Sequence, residues 1–324
     1  MARPLRIQYP GAVYHVTCRG NERKDIFKDD ADRRKMLQIL AESIKIYSVK
    51  IYSYVLMNNH FHLLLETPLG NLGESMRHFN ITYTGYFNRR HRRVGHLYQG
   101  RYKSILVEKV SYLTILSRYI HLNPVRTRVM AKAQLRDKLS LVSRYPWSSL
   151  PGYLDKKKRE TFVDYAMVLE EYGGETERAR KAYAEVVRAD IASGIEIKDK
   201  IFSQSILGRD EFIEWVKEKY IGRDKTQEIP AAKEIQRYRS KAAILRAIEG
   251  ETGKGIDEIK KHKGLYRQIA MELLYRIAGL KGREIGDMMG VGYTSVSQER
   301  GRLREKVERD NKLRMLMDRI EGHL

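Results

Sequence analysis

His60 and His62 stand one residue apart inside the run "MNNHFHLLLE", residues 57–66. The run reads as a β-strand, and alternate residues of a strand face the same side, with Cα atoms about 6.7 Å apart. Two imidazoles at that spacing can converge on one metal ion, although such a pair also serves as a hydrogen-bonded structural feature. A metal site needs a third group, and "SRYIHLNPVRTRV" (117–129) offers one. Tyr119 and Asn123 lie four apart on a predicted helix and so share a face. Pro124 follows where the helix should stop. The amide oxygen of Asn123 would complete a set of two histidines and one oxygen with open positions. Such a set suits Mg²⁺ or Mn²⁺, ions that also bind phosphate and water, and it lacks the thiolates of a structural zinc site. Taken singly, Tyr119 also reads as a half-buried aromatic and Asn123 as a helix end before proline.

The surrounding elements must hold these groups. Strand-like runs occur at 12–20, 50–57, 60–67 and 101–108, rich in β-branched and aromatic residues. Helical periodicity occupies 29–48, 71–91 and 111–124. The order β-α-β-β-α-β-α points to an α+β unit, a ferredoxin-like antiparallel sheet backed by helices. "RYPWSSLPGYLDKKKRE" (144–160) reads as its exit, after which helical patterns dominate, and "IGRDKTQEIP" (221–230) reads as a second linker. The expected division is 1–155 for the site-bearing domain, 156–225 for a helical connection and 226–324 for a helical C-terminal domain.

The chain has 324 residues, a formal net charge of +21 and a pI near 9.8. That excess exceeds what an enzyme of neutral metabolites needs and implies a polyanionic partner, most simply nucleic acid. "NRRHRRVGHLYQGRYK" (88–103) concentrates it: Arg89, Arg90, Arg92, Arg93, Arg101 and Lys103, interleaved with Tyr98 and Tyr102 and without an acidic residue. Guanidinium groups neutralise phosphates and aromatic rings stack on unpaired bases. Arg19 and Asn21, in "RGNERKDIFK" (19–28), form a second candidate contact loop. Cys18 is the single cysteine, which excludes an intrachain disulfide and a cysteine-based zinc cluster. The N-terminus does not read as a signal peptide and no stretch reaches membrane-span length, so a cytoplasmic, nucleoid-associated protein without a membrane partner is expected.

The residues in this order resemble the single-tyrosine HUH transposases of small insertion sequences, and among them the REP-associated tyrosine transposases. "HFH" is similar to their histidine–hydrophobic–histidine motif and "RYIHLNPVR" to their tyrosine helix. "YHVTCRGNERKDIF" (14–27), "GHLYQGRYKSILV" (95–107) and "YPWSS" (145–149) add to the likeness, which covers residues 5 to 155. The resemblance implies the HUH nuclease fold and Tyr119 as nucleophile. It further implies a 5′-phosphotyrosine intermediate and a divalent ion held by His60, His62 and Asn123. The implied partners are single-stranded and hairpin DNA. Family members often carry an acidic or amide residue where His121 stands.

"KGREIGDMMGVGYTSVSQERGRLREKV" (281–307) has helix-turn-helix spacing and, with the helix before it, resembles the C-terminal DNA-binding domain of the DnaA replication initiator. Thr294, Ser295, Ser297, Gln298 and Arg300 are then candidates for contacts in a major groove. The leading expectation is a metal-dependent single-strand DNA nuclease and strand-transferase. A catalytically silent, transposase-derived DNA-binding regulator and an RNA-binding protein are the competing classes. A monomer and a dimer both stay open.

Overall fold

In the computed structural model, residues 6–127, 129–221 and 238–324 are described. They divide into two compact units, 6–208 and 209–324. The 221–230 linker and the start of the 231–253 helix lie almost wholly outside the described residues.

The first unit is built on β1 (Ala12–Arg19), β2 (Lys50–Met57), β3 (His60–Thr67) and β4 (Lys103–Val107). Asn58 and Asn59 close the β2–β3 hairpin. The strands run in the order β2-β3-β1-β4, all neighbours antiparallel. α1 (Asp30–Tyr47) follows β1 and α2 (Leu72–Arg90) follows β3, which gives the expected ferredoxin-like topology. The Asp29 carboxylate starts α1 by accepting the Asp32 N–H at 3.0 Å.

The sheet is not wholly antiparallel. β5 (Ile201–Phe202) and β6 (Ile206–Leu207) extend its far edge, with β6 parallel to β4. Two-residue strands are too short for a period-two pattern to register in sequence.

The two faces of the sheet are covered differently. Phe61, on one face of β3, meets Phe79 of α2 edge-on at 5.6 Å. Directly paired residues share a face, so Arg19↔His60, Thr17↔His62 and His15↔Leu64 line the other. α3 (Lys109–His121) covers that face, where Ser53 and Ser117 hydroxyls meet at 2.6 Å.

Residues beyond 155 belong to this unit rather than to a separate connection. α4 (Leu135–Arg144), α5 (Leu150–Leu154), α6 (Ala166–Leu169) and α7 (Glu177–Ser193) follow α3. α7 ties α3 down through three links: Arg118 to Asp190 at 2.5 Å, Ser117 to Tyr183 at 3.1 Å, and His121 Nδ1 to the Tyr183 hydroxyl at 2.9 Å. The other His121 nitrogen meets Ser149 Oγ at 2.8 Å. His121, fully buried, is therefore a satisfied structural residue joining three segments.

The second unit is helical: α8 (Asp210–Tyr220), α9 (Lys241–Thr252), α10 (Ile256–Lys261), α11 (Leu265–Arg276), α12 (Gly282–Met289), α13 (Tyr293–Arg309) and α14 (Asn311–Gly322). Ile248, Ile269, Leu273, Ile285, Met289, Val296, Leu303 and Ile320 share its core. Gly290, in the left-handed region at φ 68°, ends α12 and opens the short turn into α13.

A fragment of residues 1–208 should unfold in one cooperative transition. A fragment ending at 155 loses β6 from the sheet and Tyr183 from beneath α3, and should show no such transition by circular dichroism. Equal melting temperatures for the two fragments would show that residues 156–208 are dispensable.

Candidate nucleic-acid processing site

His60 and His62 emerge half-buried on the α3-covered face of β3, their ring centroids 5.2 Å apart. The protonation pattern of His60 follows from its neighbours. The Asn59 amide nitrogen donates to the Arg23 carbonyl at 2.9 Å, so the Asn59 oxygen faces His60 Nδ1 at 2.7 Å. An amide oxygen only accepts, hence Nδ1 carries the proton and Nε2 keeps a lone pair. Desolvation lowers the His60 pKa to about 4, with the Arg19 charge adding to the effect.

His62 Nδ1 lies 2.8 Å from Nε2 of His15, a buried residue of β1. The rings stack at 5.1 Å. Ligation through His62 Nε2 requires its proton on Nδ1, donated to His15. That leaves His15 Nδ1, buried without a hydrogen-bond partner, to carry the remaining proton. His15 is thus placed to fix the tautomer of His62. Burial lowers His62 well below the ordinary imidazole range, and the neighbouring histidines reinforce the shift. His15 falls to about 4 from burial alone.

Tyr119 lies one ring contact further along the same chain. Its ring meets His15 edge-on at 6.1 Å, and the Arg126 guanidinium sits 4.5 Å above it. Arg126 is held there by donation to the Ile195 carbonyl at 2.7 Å. Burial raises the Tyr119 pKa above the usual phenol value, and Arg126 opposes the rise. Asn123 Nδ2 donates to the carbonyls of Tyr119 and Ile120 at 3.1 and 3.0 Å, capping the end of α3. Its Oδ1 is then the atom with the right chemistry for a cation.

Two neutral imidazoles with lone pairs and an amide oxygen, without a thiolate, are donor types that suit a divalent ion. Among the described residues, no group of three or more His, Cys, Asp or Glu side chains is arranged to hold a metal. The third histidine present, His15, spends its Nε2 on His62.

The basic segments divide into exposed and engaged cations. Arg19, Arg89, Arg92, Arg101 and Lys103 are exposed. Arg90 instead pairs with Asp29 at 2.7 Å and with buried Asp32 at 2.5 Å. Arg93 donates to Asn88 and to the His96 carbonyl. Asn21 is half-buried and its N–H donates to the Leu97 carbonyl at 2.8 Å. Tyr98 was expected to stack on bases, but its ring is buried against Phe61 at 6.2 Å. In the helical unit Thr294, Ser297 and Gln298 are exposed and Ser295 is half-buried. Arg300 is a correction: it follows Val296 by one turn on the inner face of α13. It pairs with Glu272 at 2.8 Å, with Tyr275 stacked 3.3 Å from its guanidinium. A buried, paired arginine is not presented to a groove.

His15, Asn59 and Arg126 were not singled out in sequence. His15 was visible as an ionisable residue in the strand-like "AVYHVTCRG", whereas the roles of Asn59 and Arg126 depend on contacts that only folding creates.

Residues 8–123 match the family described as "Transposase IS200 like". A solved structure titled "Structure of the REP associates tyrosine transposase bound to a REP hairpin" is similar at 14% identity, covering 51% of this chain and 92% of that one with a TM-score of 0.39. No curated protein matches the chain. No helix among the described residues is long and apolar enough to cross a membrane.

The buried histidines make a pH dependence. In the unfolded chain imidazoles take up protons near pH 6.5, whereas His15 and His60 resist until about 4 and His121 until about 3. Between those limits the unfolded state binds more protons, so stability falls as pH falls from 6.5 toward 4. Urea denaturation at pH 7 and pH 5 should show a lower midpoint at pH 5. Identical midpoints would mean that the imidazoles are not held neutral by the fold.

Proposed function

We propose, from the match of residues 8–123 to the IS200-like transposase family, that the chain nicks and rejoins single-stranded DNA beside folded hairpins through Tyr119. The observation that carries this reading is the linkage on one sheet face of Tyr119, His15 and His62. A candidate nucleophile and a candidate pair of ligands are thereby held together by buried contacts.

In the proposed step the Tyr119 Oη attacks a backbone phosphorus. An oxygen–phosphorus bond forms while the bond from phosphorus to the 3′-oxygen breaks. The phenol loses its proton, the leaving strand ends in a 3′-hydroxyl, and the 5′ end stays on the tyrosine. Attack by another 3′-hydroxyl reverses the sequence and releases Tyr119. The phosphodiester energy is retained in the protein–DNA bond, so neither direction needs a nucleotide triphosphate. His60 Nε2, His62 Nε2 and Asn123 Oδ1 would hold Mg²⁺ or Mn²⁺, which supplies charge stabilisation to a phosphate. Arg126 favours the phenolate by its position over the ring. Arg19, Arg89, Arg92, Arg101 and Lys103 would neutralise the strand backbone. Thr294, Ser295, Ser297 and Gln298 at the start of α13 would meet adjoining duplex, with exposed Arg302 as the cation in place of Arg300.

Tyr119→Phe should abolish the covalent DNA adduct on a denaturing gel without loss of DNA affinity. An adduct from the Phe variant would remove Tyr119 from the role. In the parent protein the single-turnover rate should rise about tenfold per pH unit from 7 to 9, following the phenolate fraction of a tyrosine whose pKa burial raises above the ordinary phenol value. Excess EDTA should stop cleavage, and full activity in EDTA would sink the metal assignment.

A further inference from the structure

The turn that leads from β1 toward α1 is strained, and the strain falls on the residue that orients Asn59. Glu22 and Arg23 are consecutive and both left-handed, with φ 55° and 59°. Neither is glycine, nor asparagine or aspartate, the residues that enter this region at low cost. Both side chains are exposed. The ion pair of Glu22 with Lys24 at 2.6 Å is open to water, and such pairs stabilise little. A costly backbone persists where its surroundings over-determine it, and positions of that kind cluster at functional sites.

Backbone bonds to the neighbouring hairpin do the holding. Gly20 N–H donates to the Asn59 carbonyl at 2.8 Å and Ile26 N–H to the Asn58 carbonyl at 2.9 Å. Within the turn, Arg23 N–H donates to the Gly20 carbonyl at 3.0 Å. The turn and the β2–β3 tip are therefore clasped together. Gly20 is where the clasp closes: a Cβ there would stand 2.0 Å from the Lys24 carbonyl oxygen and 3.0 Å from Ile26 Cγ2. Its φ of −60° suits any residue, so the need for glycine is a need for space.

In the clasped turn the Arg23 carbonyl accepts from Asn59 Nδ2 at 2.9 Å. That bond tells the two ends of the Asn59 amide apart. With the amide turned over, its nitrogen would donate to His60 Nδ1, and the imidazole proton would move to Nε2. The backbone of one exposed turn thus decides which nitrogen of His60 keeps a lone pair.

We infer that the turn 20–24 is a positioning element for His60. Its left-handed backbone at Arg23, rather than the Arg23 side chain, sets how tightly the histidine pair holds a divalent ion. The inference rests on the cation site of the nicking reading and adds to it a segment that does not itself touch the ion. A pure strand-contact role for the same loop predicts the reverse, since the charge of Arg23 would then matter and its φ would not.

The test uses the full-length protein with Mn²⁺ as the ion, unbound Mn²⁺ being read by electron paramagnetic resonance. The tautomer of His60 is read without metal from proton–nitrogen correlation spectra. Arg23→Gly removes the side chain but takes a positive φ freely, so it should bind Mn²⁺ within about twofold of the parent. Arg23→Pro removes the same side chain and cannot take a positive φ. It should bind about tenfold or more weakly, as loss of an outer partner does to a ligand histidine, and should lose the Nδ1-protonated pattern of His60. Asn59→Ala should match Arg23→Pro in both readouts, and decides the matter if Arg23→Pro fails to fold. Equal affinities in the Gly and Pro variants, or an Asn59→Ala protein with the affinity and the His60 pattern of the parent, overturn the inference. A lowered melting temperature alone would mark the turn as structural and overturn it too. A parent that binds no Mn²⁺ removes the cation site and the inference with it, whereas a parent and variants that bind alike remove only the role of the turn.

Discussion

The hydrogen bond between His15 and His62 is the contact on which the site depends. It joins the neighbouring strands β1 and β3 through their side chains, in a register where His15 stands opposite Leu64 and Thr17 opposite His62. Both rings are neutral because burial penalises the charged form, and a charged pair at this distance would repel. The bond lets one ring dictate which nitrogen of the other keeps a lone pair. Asn59 does the same for His60 from the hairpin turn, itself oriented by the Arg23 carbonyl. Both rings are thus oriented by outer hydrogen bonds, which is what the proposed cation site requires.

The second constraint is the placement of α3. Tyr119 reaches His15 only because α3 lies at a fixed height over the sheet, and that height is set from beyond it. Arg118, Ser117 and His121 all reach α7 or Ser149, and Arg126 is anchored on Ile195. Residues 150–208 therefore belong to the working unit. Their helical pattern looked like a connection because buried tyrosines such as Tyr153 and Tyr183 announce packing without announcing a partner.

Much of the first unit was legible in sequence. Alternation in β3 separated Phe61 from the histidines, whereas Asn123, expected on the helix of Tyr119, stands in the turn beyond that helix's end at His121. What stayed hidden was pairwise. The segment 88–103 holds no acidic residue, yet Asp29 and Asp32, some sixty positions earlier, occupy Arg90. Arg300 read as a polar-face residue, but its helix phase puts it beside Val296 and Leu303, where Glu272 and Tyr275 receive it. Charge counted along a chain does not reveal charge compensated across it. β5 and β6 were too short to carry a pattern.

The most direct measurement of the central claim is the protonation state of the paired histidines, read from long-range proton–nitrogen correlation spectra of the ¹⁵N-labelled protein at pH 7. Both rings should be neutral, with His60 protonated on Nδ1 and bare on Nε2, and His15→Ala should alter the His62 pattern while leaving His60 as it was. A His60 ring that is charged at pH 7, or that carries its proton on Nε2, would contradict the account.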